Sequence, residues 1–247
     1  MVYGIRYIDN YSGKTIFDEI KNYIKQYGLK ITLIKAIRDL YPIIPLYLYH
    51  KIYDRYFKYE GCRIKYFIRL ARIINSERIV EIPLTIKLIQ KTKFDSCLEI
   101  GDTVSKYFTF PHDIIDKYER RHNIIQADAY SYNFPVKYDL IISISTIEHI
   151  GKDEDKVFPE KAVLTLKRLM QQLNTHGLLF VTVPINYNEE LDTFIRSNPS
   201  ELNICFLARI SFTNMWRQVS KETAFQHTYN YSYFHANSIA IITYIRK

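Results

Sequence analysis

Apolar positions in this chain follow two spacings. Short unbroken runs recur at Cys97 to Ile100, Asp113 to Ile115, Leu140 to Ser145 and Leu178 to Pro184, with a weaker one at Asn123 to Gln126. Each run ends at a glycine, an acidic residue or a small polar residue, the pattern of a strand buried on both faces of a parallel sheet. Between the third and fourth runs, Asp153 to Asn174 makes a helix with apolar Val157, Ala162, Leu164, Leu166, Leu169, Met170 and Leu173, and His176-Gly177 closes it. Strand, helix and strand in that order predict a parallel α/β sheet. Further strands are predicted at Ile204 to Ile210, Phe225 to Tyr233 and Ser238 to Ile245, the last two as a closing pair.

The first 75 residues have a different pattern. Ile16, Phe17, Ile20, Tyr23, Ile24 and Tyr27 recur at helical spacing, with Gly28 as C-cap. Helical patterns follow at Lys30 to Leu40, Leu46 to Tyr59 and Arg63 to Ile74. A further helix starts at Asn75 or Ser76 and runs to about Lys87 or Ile89, although Pro83 opposes a helix interior. The chain therefore divides into a helical extension, 1–75, and an α/β domain, 76–247.

Charge separates the same two parts. Of a net +8, residues Ile20 to Arg72 hold twelve Lys or Arg against Asp39, Asp54 and Glu60. Basic residues interleaved with tyrosines beside the apolar Pro42 to Tyr49 suit peripheral contact with an anionic membrane. They equally suit a helical cap that packs its apolar side and solvates its charges. RNA binding is disfavoured, since no RNA-binding signature accompanies the charge. The 47% apolar composition excludes a disordered chain, and its 22 tyrosines fit compositional bias better than an aromatic binding function.

Cys62, Cys97 and Cys205 are odd in number and far apart, which argues against a disulfide framework and suits a reducing compartment. No His, Cys or acidic spacing predicts a metal site. The N-terminus shows no signal-peptide pattern and no apolar run reaches a membrane span, so a cytoplasmic location is expected, with membrane-peripheral attachment if the basic segment docks.

In an open α/β sheet, ligands bind beyond the carboxyl ends of the strands. Gly101 follows the first run, and its missing Cβ permits a tight turn and close backbone approach. Asp116 follows the second, where a carboxylate can accept both hydroxyls of a ribose; Glu119 replaces it if the strand runs longer. Ala127 and Asp128 follow the weaker run at Asn123 to Gln126, and Ser143 to His149 close the run that starts at Leu140.

These segments, Leu98 to Gly101 (LEIG), Ala127 to Ala129 (ADA) and Tyr138 to Ile150 (YDLIISISTIEHI), resemble the class I S-adenosylmethionine-dependent methyltransferases in order and spacing. Ser76 to Pro83 (SERIVEIP), SISTIEHIG and Val183 to Asp192 further resemble a prokaryotic branch linked to surface-glycan biosynthesis. The resemblance implies a Rossmann-like, seven-stranded, mostly parallel sheet with an antiparallel C-terminal hairpin. It implies S-adenosylmethionine as cofactor, held by Glu99, Gly101, Thr103, Asp116, Asp128, Ala129 and Ser143, with Tyr130 as a lid. The usual G-x-G-x-G reads Gly101, Thr103 and Ser105 here, so only one of its glycines is kept.

Methyl transfer from a sulfonium needs alignment and, for a hydroxyl or amine acceptor, a base. His149 is the first candidate and Glu148 the second; a positioning imidazole and a helix-start carboxylate are the competing readings. Asn186, Tyr187, Asn188, His227 and His235 are acceptor-site candidates. Glu77, Arg78 and Glu81 either reach that pocket or form a salt-bridged helix face. The expected reaction is O-methylation of a small-molecule or glycan acceptor. A silent scaffold of the same fold is the alternative, and a nucleic-acid methyltransferase is disfavoured by the missing N/D-P-P-Y/F signature.

Overall fold

The structure is a computed structural model that describes residues 6–7, 25, 28–29, 48–49, 52, 56–68, 76–230 and 235–247. The helical patterns expected at Thr15 to Tyr27 and Lys30 to Leu40, and most of the basic segment, lie outside these residues.

Where the extension is described, its fold differs from expectation. Tyr56–Tyr59 (β1) and Cys62–Lys65 (β2) form an antiparallel hairpin rather than the ends of two helices. Glu60 and Gly61 both have positive φ, 45° and 71°, which makes the two-residue turn whose twist matches a hairpin. Phe57, Ile64 and Tyr66 point inward and their neighbours outward, so a period of two overrides the apparent helical spacing.

Helix α1 (Arg78–Lys91) keeps Pro83 in its interior. Proline cannot donate to the carbonyl four residues back, so Ile79 loses its helical partner. The backbone N–H of Phe67, just after the hairpin, takes that carbonyl at 3.0 Å. The conflict seen in the sequence is resolved by a long-range bond.

Next come β3 (Cys97–Ile100), β4 (Asp113–Asp116), β5 (Ile125–Gln126), β6 (Tyr138–Ile144) and helix α2 (Lys161–Gln171). They are followed by β7 (Leu173–Pro184), α3 (Glu189–Ser197), β8 (Asn203–Arg209), β9 (Trp216–Val219), α4 (Lys221–Gln226) and β10 (Ser238–Ile245). One sheet of eight strands has the order β9-β8-β10-β7-β6-β3-β4-β5. Strands β7, β6, β3, β4 and β5 are parallel, and β10 lies antiparallel between β7 and β8.

This is the Rossmann-like, mostly parallel sheet with an antiparallel C-terminal edge that was expected, with one strand more. The extra strand is β9, and the partner of β10 is β8 rather than Phe225 to Tyr233, whose start belongs to α4. Ser220 caps α4 by accepting the Thr223 N–H, a local signal that outweighs the β-rich composition there. Helix α2 is also shorter than predicted, because residues 153–160 form turns and His176-Gly177 falls inside β7.

The strands carry alternate side chains to two cores. Leu140, Ile142 and Ile144 meet Ile79, Val80 and Leu84 of α1 on one face. Ile141, Val181 and Val183 meet Leu166 and Leu169 of α2 on the other. Every one of these residues is buried. From β3 the chain winds outward through β4 and β5, then returns to β6 on the opposite side. The reversal opens a crevice at the carboxyl ends of β3 and β6.

Candidate functional site

Gly101 ends β3 at φ 82°, and a Cβ there would lie 2.2 Å from Oγ1 of Thr146 across the crevice. Glycine is therefore required twice over, for conformation and for space. The Thr146 hydroxyl is itself anchored on the Ile144 carbonyl at 3.1 Å.

Glu99 is fully buried, one residue before the end of β3, and folds back beneath the following turn. Its carboxylate accepts the backbone N–H of Thr103 at 2.8 Å, Val104 at 2.5 Å and Ser105 at 3.2 Å. His112 Nε2 lies 2.9 Å from the same carboxylate. The turn's amides thus point at Glu99, and Glu99 shapes the cradle from below rather than lining it. Thr103 donates its hydroxyl to the Ile144 carbonyl at 3.2 Å, and Ser105 donates to Asp102. Neither the Thr103 nor the Ser105 side chain lines the crevice.

The crevice is a cleft of about 380 Å³. Gly101, Asp116, Asp128, Ala129 and His149, all singled out in the sequence, line it together with Thr146. Ser143 does not, being fully buried with its hydroxyl on the Ile100 carbonyl. Asp116 is held by three backbone N–H groups, of Asp102 (3.1 Å), Tyr118 (2.8 Å) and Glu119 (2.9 Å). Glu119 itself pairs with Lys106 at 2.7 Å and is absent from the cleft lining.

Two lysines missed in the sequence close the side of the cleft near Asp128. Lys161 lies 2.6 Å from both Asp128 and Glu154, and Lys117 lies 3.2 Å and 3.0 Å from the same pair. Burial works to raise both carboxyls, but the Lys161 ammonium overcomes it and holds each below its usual range. Lys117 follows Asp116 directly and was legible as a cleft residue; Lys161 was not, since its partner Asp128 is 33 residues away.

Beyond β6, a single 3-10 turn, Ile147–His149, presents the two candidate catalytic groups. His149 is half exposed, with Nδ1 2.5 Å from Asp153 and 3.2 Å from the Tyr187 hydroxyl, which donates to Asp153. Its Nε2 lies 3.5 Å from Oε1 of Glu148, without a hydrogen bond. Glu148 is 1% exposed, and among the described residues no other residue hydrogen-bonds its carboxyl oxygens. Burial pushes this carboxyl well above its usual range, Glu81 and Glu77 add to the shift, and Arg78 and the residue's own backbone N–H oppose it.

Behind Glu148 stands the start of α1. Glu81 is fully buried and accepts from Arg78 at 2.9 Å, Ser145 at 2.6 Å and Thr182 at 2.7 Å. Arg78 also donates to the Ile144 carbonyl at 3.0 Å, and Glu77 accepts the Ala236 N–H at 3.0 Å. Arg78 and Glu81 thus face the end of β6, and Glu77 the segment before β10, rather than the solvent side of a helix.

The acceptor-site candidates divide. Asn188 caps α3 and donates to the Glu148 carbonyl at 2.9 Å, fixing the turn. Asn186 clips the Phe225 and His227 carbonyls at 3.1 and 2.6 Å, so its amide is spent on structure. Tyr187 packs on His149 with ring centroids 5.0 Å apart. His227 contributes its carbonyl to Asn186, and buried His235 meets Arg209 at 3.1 Å.

No protein-family model matches the chain, and no curated protein sequence does. Solved structures that align with it include the N-methyltransferase NodS from Bradyrhizobium japonicum WM9 in complex with S-adenosyl-L-homocysteine. That alignment has a TM-score of 0.45 and 10% identity, covering 72% of this chain and 91% of that one. An S-adenosylmethionine-dependent methyltransferase from Clostridium acetobutylicum ATCC 824 aligns at TM-score 0.42 and 10% identity, over 66% and 89%. A possible histamine N-methyltransferase from Thermotoga maritima aligns at TM-score 0.38 and 14% identity, over 66% and 87%.

Proposed function

We propose that this protein is an S-adenosylmethionine-dependent methyltransferase acting on a small polar acceptor. The observation that carries the reading is the cleft at the sheet's reversal point, where the required Gly101 and the amide-held Asp116 stand on adjacent strands. A carboxylate fixed by three N–H groups keeps lone pairs oriented for a ribose diol. Ile100, Ile115, Ala127, Ala129 and Ile150 give the cleft the apolar walls that a purine needs.

The bound cofactor would supply a methyl group already activated on a sulfonium. This chain's residues have the remaining tasks of orientation and proton removal. His149 reaches the cleft from β6 with its ring steered by Asp153 and Tyr187. Thr103 and Ser105 turn away from the cleft, which supports the enzyme reading over a silent scaffold. The resemblance to glycan-linked enzymes makes sugar-bearing acceptors the first class to screen. Calorimetric titration with S-adenosylmethionine and S-adenosylhomocysteine tests the reading: both bind the wild type, and Asp116→Ala weakens both at least tenfold. Absence of binding to the wild type would sink it.

A further inference from the structure

The two carboxylate oxygens of Asp116 are held from different parts of the chain. Oδ1 accepts from Tyr118 at 2.8 Å and Glu119 at 2.9 Å, both on the segment that follows β4. Oδ2 accepts from Asp102, 3.1 Å away on the turn after β3. A carboxylate oxygen has two lone pairs, so Oδ1 is filled and Oδ2 keeps a place for a ribose hydroxyl. The rotation that aims Oδ2 into the cleft is therefore set by the backbone N–H of Asp102.

Asp102 is in turn held from the β4 side. Its side chain is buried, and Oδ1 accepts from Ser105 and from Arg121, which lies between β4 and β5. The same guanidinium lies 3.4 Å from the Ser105 hydroxyl. A second ion pair crosses the same gap with its charges reversed, Lys106 to Glu119 at 2.7 Å. None of Asp102, Lys106, Glu119 and Arg121 lines the cleft. What the pairs do is fasten the turn after β3 to the segment that carries the other Asp116 donors. The two pairs are unequal. Lys106 and Glu119 are partly exposed, and such a pair contributes little. The Arg121 pair ends on a buried carboxylate, which without its cation is driven toward water. Moving Asp102 outward would withdraw its N–H from Asp116.

We infer that Arg121 is a positioning residue for the cofactor's ribose, acting through Asp102 on the carboxylate that receives the diol. This rests on the methyltransferase reading and extends it to a residue outside the cleft. The effect is confined to the diol, because the apolar walls at Ile100, Ala127 and Ala129 belong to neither ion pair.

Competition against tritiated S-adenosylhomocysteine, with adenosine and 2′,3′-dideoxyadenosine as competitors, reads the diol's share of binding. The wild type should prefer adenosine by about tenfold, the worth of one hydrogen bond to a charged group. Arg121→Met should cut that preference to about twofold and leave the affinity for dideoxyadenosine within about twofold of wild type, and Arg121→Lys should recover part of the loss. A preference kept at about tenfold in Arg121→Met would overturn the inference, and so would equal weakening of both competitors, which is what a merely structural residue gives. Where Arg121→Met fails to fold, Asp102→Asn keeps the backbone N–H and the side-chain volume but removes the charge that holds Arg121. It should lower the preference in the same way, and an unchanged preference there is equally decisive. A wild type that binds no S-adenosylhomocysteine refutes the methyltransferase reading itself. One that binds it without preferring adenosine takes Asp116 off the ribose, and the role of Arg121 falls with it.

Discussion

Replacing Gly101 by alanine should damage the fold by an amount that can be divided into two parts. A non-glycine residue at φ 82° pays roughly 1–2 kcal/mol for left-handed backbone. The new Cβ would also fall 2.2 Å from Oγ1, 2.6 Å from Cγ2 and 2.9 Å from Cβ of Thr146. Overpacking of that kind costs about 1–3 kcal/mol. The sum, about 2–5 kcal/mol, corresponds to a melting point lowered by roughly 4–20 °C in a chain of this size. Thr146→Gly removes all three contacting atoms but not the backbone strain. In a double-mutant cycle read by urea unfolding, Gly101→Ala should therefore cost only about 1–2 kcal/mol on the Thr146→Gly background. A coupling below about 0.5 kcal/mol would refute the steric half of the argument, because it is what independent sites show.

Other outcomes follow from the same site. Glu99→Ala leaves three backbone N–H groups and His112 without their acceptor, so it should destabilise the protein by about 3–5 kcal/mol in urea unfolding. Burial pushes Asp192 up to about 6, with the Asn186 N–H and Arg196 opposing. The folded chain keeps this proton where the unfolded chain has released it, so stability falls as pH rises from the usual aspartate range through about 6. Asp192→Asn should remove that slope and raise stability at pH 7 by up to about 2 kcal/mol, measured by unfolding at several pH values. Lys161→Met leaves Asp128 and Glu154 with Lys117 alone and should lower stability by about 1–3 kcal/mol, an effect that salt reduces.

The parallel half of the sheet was legible because its strands are buried on both faces and read as plain apolar runs. Gly101, Asp116, Asp128 and His149 were legible because the residue after such a run sits at the ligand end. What failed had a different cause in each case. The Tyr56–Lys65 hairpin was hidden by tyrosines and lysines that fit a helical spacing as well, and only the Glu60-Gly61 turn distinguishes the two. Glu99 and Ser143 sit beside the cleft in sequence, but their side chains leave it on the inner side of the strands. Lys161 and Thr146 act through partners that sequence distance conceals.

The bond from Phe67 to Ile79 gives α1 a dependence on chain made before it. Until the segment after the hairpin docks, the carbonyl freed by Pro83 has no protein donor, and the first turns of α1 must hydrate. Those turns carry Arg78 and Glu81, so the floor beneath Glu148 should assemble late in folding. Amide hydrogen exchange should show Phe67 and the first turn of α1 opening together, at lower free energy than the central strands β3 and β6. Proteolytic removal of residues up to Phe67 would then loosen the site without cutting any residue that lines the cleft.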